Sequence, residues 1–203
     1  MLPRMCLLLC PLFVVLAPAP AQARIGESRS SLETRLFNSG GVEYNDDDMV
    51  ASRKKGKPYT KLDGVMPASA DVRIYYKSAE GIRTKPSELS GRRVGSGWDV
   101  HVLYINGKSV MELYERSGSM SDFEMNRLLA VQSGGSFWKK VGKDDKEMPS
   151  AFGFSMIRDD EKVRAKKSGR NGLLFVNSQF DTRLKEIKEA DLQEKAPVSV
   201  QGF

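Results

Sequence analysis

The chain is poor in the residues that carry out chemistry. Its 203 residues include two cysteines, one histidine and two tryptophans. That scarcity excludes a Cys/His zinc site, an iron–sulfur cluster and a disulfide-dense scaffold, each of which needs several such side chains. It also leaves little for nucleophilic catalysis, because a Ser–His–Asp arrangement would have to use His101. No Asn-x-Ser/Thr sequon occurs, and no apolar run reaches the ~20 residues that cross a bilayer. Charge and apolar content are both ample: 40% of residues are hydrophobic, 29% are charged, and the formal net charge is +6. Such a balance is that of a globular chain, and the length fits one domain at ~100–200 residues each.

The N-terminus reads as an export leader. Arg4 precedes a short apolar block from Cys6 to Leu16, and Ala21-Gln22-Ala23 supplies a small-x-small cleavage site. Four prolines (3, 11, 18 and 20) argue against a buried helix there. Cys10 follows three leucines and lies inside the apolar block, which does not fit a lipidation site. Cleavage after Ala23 removes both cysteines and leaves 180 of the 203 residues with a charge of +5, only Arg4 being lost. Residues 1–23 are therefore expected to be a signal peptide, 24–194 a single α+β domain, and 195–203 a flexible tail. The expected location is periplasmic or extracellular.

Hydropathy patterning predicts the elements. Ile25 to Asn38 reads as a helix with Ser28 as N-cap and Leu32 and Leu36 on one face. Glu43 to Gly64 reads as a long loop or weak edge structure, with an acidic run (Asp46-Asp47-Asp48) before a basic one (Arg53-Lys54-Lys55). Val72 to Tyr76 alternates as a strand. Trp98–Tyr104 and Lys108–Arg116 flank Asn106-Gly107, a type I′ hairpin turn. A simple two-residue hairpin would set Val102 opposite Met111, Val100 opposite Leu113 and His101 opposite Glu112. Trp98, Val100, Val102, Tyr104, Met111 and Leu113 would then line one core face. Ser121-Asp122-Phe123-Glu124 is a capping box for a helix that Ser133-Gly134-Gly135 ends. Strands are expected over Phe152–Arg158, Lys162–Lys166 and Leu173–Val176, and a last helix capped by Ser178 carries Phe180, Leu184 and Ile187. The order implies an α+β fold, an antiparallel sheet with helices packed on one face. It also suggests a duplicated helix–β-meander unit with halves 24–116 and 117–194.

Gly26-Glu27-Ser28 with Leu32 and Leu36-Phe37 resembles the first helix of small exported bacterial domains. These are the outer-membrane-assembly small lipoproteins and the β-lactamase-inhibitor-protein fold. The stretch Ile105-Asn106-Gly107-Lys108-Ser109, Tyr114, Leu128-Leu129 and Trp138 is similar to uncharacterised small exported bacterial proteins. The likeness spans about a third of the chain. It implies a helix-on-sheet binding or scaffold module, with no catalytic residues to carry over. The chain departs from the lipoproteins by lacking their lipidated cysteine, and from the inhibitor fold by lacking disulfides.

Few residues are candidates for chemistry. His101 lies near Asp99 and, in the simple hairpin, opposite Glu112, which would make half of a relay for a cell-wall-directed hydrolase. An opposite charge across a hairpin is more often structural, at roughly 0.2–1 kcal/mol. Gly107-Lys108-Ser109 is not a phosphate-binding loop, because Val102 stands where that loop needs glycine. Asp46-Asp47-Asp48, Asp144-Asp145 and Asp159-Asp160-Glu161 lack the spacing of a calcium loop. No cofactor or metal site is expected. Tyr75, Arg92, Arg93, Lys139 and Lys140 are candidates for an interaction surface. The basic residues are dispersed, which argues against a nucleic-acid platform. The partner expected first is another envelope or extracellular protein, and the second an anionic envelope polymer.

Overall fold

The computed structural model describes residues 24–89, 96–142 and 148–195. The leader, Arg92, Arg93 and the tail from residue 196 lie outside them.

Two four-stranded meanders join into one eight-stranded antiparallel sheet. The first contains β1 (Val42–Glu43), β2 (Ala70–Ser78), β3 (Gly97–Ile105) and β4 (Lys108–Arg116). The second contains β5 (Trp138–Lys140), β6 (Met156–Arg158), β7 (Val163–Ser168) and β8 (Gly172–Asn177). Their order is β1-β2-β3-β4-β8-β7-β6-β5, so the last strand of each meander meets the other at the centre. A helix precedes each meander: α1 (Arg29–Asn38) the first and α4 (Asp122–Gln132) the second.

Local chemistry explains both helices. The Ser28 side chain accepts from Ser31 N–H, satisfying one of the donors a helix start leaves open. Leu32 and Leu36 then fall at i, i+4 and are buried against the sheet. Ser121 and Glu124 form the full capping box that their spacing predicts. Arg24–Glu27 is not helical; it lies along β4, where Gly26 N–H donates to Ser109 O at 2.8 Å.

The stretch after α1 holds more structure than its polarity suggests. Asp46 caps α2 (Asp47–Lys54), whose first turn is acidic and whose last turn is basic. Each charge sits at the helix end that favours it. A 3-10 segment follows over Pro58–Val65, with Tyr59 and Leu62 buried. A short α3 spans Pro86–Leu89, and α5 runs from Ser178 to Glu194. Asn177, not Ser178, caps α5, accepting from Phe180 N–H at 2.9 Å.

Helices α1 and α4 pack on one face, over Val100, Val102, Tyr104, Leu173 and Phe175. The opposite face is also covered. The 3-10 segment and α5 close over Leu103, Met111, Leu113, Leu174 and Val176 there, through Tyr59, Leu62 and Leu184. The one-face arrangement thus gains a second layer, because the sheet is apolar on both sides.

The hairpin register differs from the simple expectation. Asn106 and Gly107 adopt φ of 50° and 74°, as a type I′ turn requires. The pairs Ile105–Lys108 and Tyr104–Ser109 follow, but the next pair is Leu103–Met111. Val110 is the extra residue of a β-bulge, and every later side chain on β4 changes face. Met111 and Leu113 therefore join the α5 face, away from Val100 and Val102. His101 pairs with Leu113, and Glu112 pairs with Val102.

Candidate functional site

The bulge separates the predicted relay. His101 points to the α5 face, where its Nδ1 lies 2.8 Å from the Tyr59 hydroxyl. Its Nε2 lies 3.3 Å from Glu115 Oε2, near enough for an ion pair yet off the line of a hydrogen bond. Glu112 points to the α1/α4 face, where its Oε2 accepts from Tyr114 Oη at 2.5 Å and from Gln132 Nε2 at 2.8 Å. Burial pushes its carboxyl above the usual range; the Tyr114 hydrogen bond and the Arg24 and Arg35 charges pull the other way and do not prevail. Asp99 is engaged elsewhere, accepting from Tyr44 Oη at 2.9 Å and pairing with Arg53 at 2.5 Å. The three residues form no common site. His101 and Glu112 have no solvent-exposed surface.

The predicted interaction surface is likewise divided. Tyr75 is buried, and its hydroxyl donates to Glu33 at 2.9 Å beside Tyr104 Oη, so it is a core residue. Lys139 and Lys140 are exposed on β5, an edge of the sheet, next to an exposed Phe137. Arg92 and Arg93 lie outside the described residues.

A different constellation gathers on the α5 face. A cleft of about 450 Å³ opens between the 3-10 segment, the ends of β4 and β7, and α5. Lys57 and Lys61 reach it from the 3-10 segment, Lys166 from β7 and Lys188 from α5, with Glu115 of β4 on its wall. Lys167 also lines the cleft but has its ammonium 3.8 Å from Asp122, the first residue of α4. Besides Lys167, four lysines and a single carboxylate thus line the cleft. Lys57 pairs with Glu115, and Lys166 donates to the Phe152 carbonyl. Lys61 and Lys188 make no ion pair among the described residues. Of two other surface clefts, one sets Lys185 against Glu189, and the other sets Arg183 and the Asp181-paired Arg164 against Glu186.

Glu115 joins the cleft to the buried histidine. Burial pushes its carboxyl up, but the adjacent His101 imidazole and the Lys57 ammonium outweigh this and leave it below the usual range. Burial, then the Glu115 charge, raises the Tyr59 hydroxyl, which keeps its proton. A chain of contacts therefore leads from the cleft into the core: Lys57, Glu115, His101, Tyr59. Among the described residues, no group of three or more His, Cys, Asp and Glu side chains converges as a metal site. No described helix is long and apolar enough to cross a membrane.

The chain matches no known protein family, no curated protein sequence and no solved structure. Local patterning did not reveal the cleft, since its lysines come from positions 57 to 188 and meet only because α5 folds back over β8.

Proposed function

We propose that the protein is an exported, non-enzymatic binding module that takes an anionic, phosphate-bearing ligand in the lysine cleft. The observation that carries this reading is the convergence of four lysines from three elements on one concavity, opposed by one carboxylate. Focusing like charge in a concave, partly apolar site raises the local concentration of anions. Lysines offer compact point charges with rotatable donors, which suit tetrahedral oxyanions. Planar carboxylates are better matched by the arginine fork, and no arginine lines the cleft. Export is supported by the pattern of residues 1–23.

Calorimetric titration with inorganic tripolyphosphate tests the site. Binding is expected to weaken steeply with added salt and to fall about tenfold or more in Lys61→Gln/Lys188→Gln, two exposed or half-exposed changes outside the core. Equal binding by the double variant would overturn the assignment.

A protein partner finds its footing at the β5 edge, where Phe137 is 76% exposed beside Lys139 and Lys140. Capture of an envelope protein that is lost in Phe137→Ser, with the cleft variants unaffected, would favour that second reading.

A further inference from the structure

We propose that an oxyanion entering the lysine cleft takes Lys57 away from Glu115, and that His101 takes up a proton in exchange. The inference rests on the anion-binding reading of the cleft and adds a proton to it.

The geometry requires a replacement for Lys57. Glu115 keeps only 14% of its side-chain surface in contact with solvent, and Lys57 is its ammonium partner. Lys57 also lines the cleft, so a phosphate-type ligand competes with Glu115 for the same cation. Once Lys57 turns to the ligand, Glu115 is left a largely buried carboxylate. The cationic form of His101, 3.3 Å away, is the group placed to compensate it.

The imidazole can accept that proton where it stands. In the neutral ring, the carboxylate facing Nε2 places the hydrogen on Nε2, and the Tyr59 hydroxyl donates to Nδ1. On protonation, the proton from solvent goes to Nδ1. The Tyr59 hydroxyl turns from donor to acceptor, and Nε2–H stays beside Glu115, 3.3 Å away. Among the described residues, the ion pair of the ring is with Glu115 alone. β2 presents Ile74 and β4 presents Leu113 and Glu115. The 3-10 segment brings Tyr59 and, further off, Asp63, with Lys57 at its start. On β3 itself, Asp99 is held by Tyr44 and Arg53.

His101 is the sole histidine, so its imidazole nitrogens give an unambiguous NMR signal. The probe is inorganic sulfate, which mimics phosphate and carries no titrating proton near neutrality. At a fixed, near-neutral pH, sulfate is expected to shift the backbone amides of Lys57, Lys61 and Lys166. The ratio of doubly protonated to neutral imidazole should rise severalfold, up to about tenfold. Calorimetric enthalpies should differ between buffers of different ionisation enthalpy, as proton uptake demands. In Glu115→Gln the competing carboxylate is gone: sulfate should bind more tightly, and the imidazole should no longer respond. Amide shifts with an unmoved imidazole would overturn the proton exchange and leave the anion site standing. Absence of amide shifts at sulfate concentrations that saturate a millimolar site would overturn both.

Discussion

Arg164 of β7 donates to Asp181 of α5 at 2.8 Å, with side chains 5% and 0% exposed. Asp181 also accepts from the backbone N–H groups of Ala151 and Phe152, at 2.9 and 3.1 Å, and from Ser150 Oγ at 2.5 Å. One carboxylate thus holds α5 to β7 and fixes the loop whose Ala151 and Phe152 line the lysine cleft. Removing one partner of a buried pair strands the other, at a cost of about 3–5 kcal/mol. Asp181→Ala is therefore expected to lose that much in denaturant unfolding. The double variant Arg164→Met/Asp181→Leu should recover a large part of the loss, because it leaves no buried charge alone. Equal losses in the single and double variants would show that the pair is not the cause.

Glu112 makes the opposite kind of contribution. Its folded carboxyl holds a proton to higher pH than it does in the unfolded chain, chiefly because of burial. Folding therefore takes up a proton between the ordinary carboxylate range and the raised value, and stability falls as pH rises through that interval. Glu112→Gln removes the titration while its amide oxygen can still accept from Tyr114 and Gln132. The variant should be more stable than the parent at pH 8, by about 1 kcal/mol or 2–4 °C in Tm, and the difference should close at low pH. A variant less stable at every pH would refute this account.

The capping box gives a simpler prediction. Ser121 Oγ accepts from Glu124 N–H at 3.2 Å, and Glu124 Oε2 accepts from Ser121 N–H at 2.8 Å. Ser121→Ala should cost about 1 kcal/mol in thermal or denaturant unfolding. Hydrogen exchange should quicken in the first turn of α4 ahead of the sheet.

How much of this was legible in the sequence depends on whether the cause was local. Ser28, Ser121 with Glu124, and Asn106-Gly107 each act within a few residues, so α1, α4 and the hairpin turn could be read directly. The Asp46-to-Lys54 stretch carried a helix cap and a favourable charge order, but its weak apolar stripe hid α2. The bulge at Val110 is another matter. Nothing in Lys108–Arg116 marks it; it follows from Met111 and Leu113 filling the layer beneath Tyr59 and α5. That one extra residue separates His101 from Glu112 and brings it to Glu115 instead. The cleft was illegible for the same reason, since Lys57, Lys166 and Lys188 become neighbours only through the second helical layer.

Glu115 supplies the last prediction, with a sign opposite to that of Glu112. Burial alone would raise its carboxyl, but the adjacent His101 imidazole and the Lys57 ammonium hold it below the usual range. The folded state therefore favours the ionised form. The resulting stability is present above the ordinary carboxylate range and is lost as pH falls through the lowered value. Glu115→Gln should be less stable than the parent at pH 7, by ~1 kcal/mol for a pair that solvent still reaches. The two proteins should converge in acid. Tm measured from pH 7 down to about pH 3, below the ordinary glutamate value, reads both limbs. A constant gap over that range would mean that the carboxylate's charge contributes nothing to the fold and that only its shape matters.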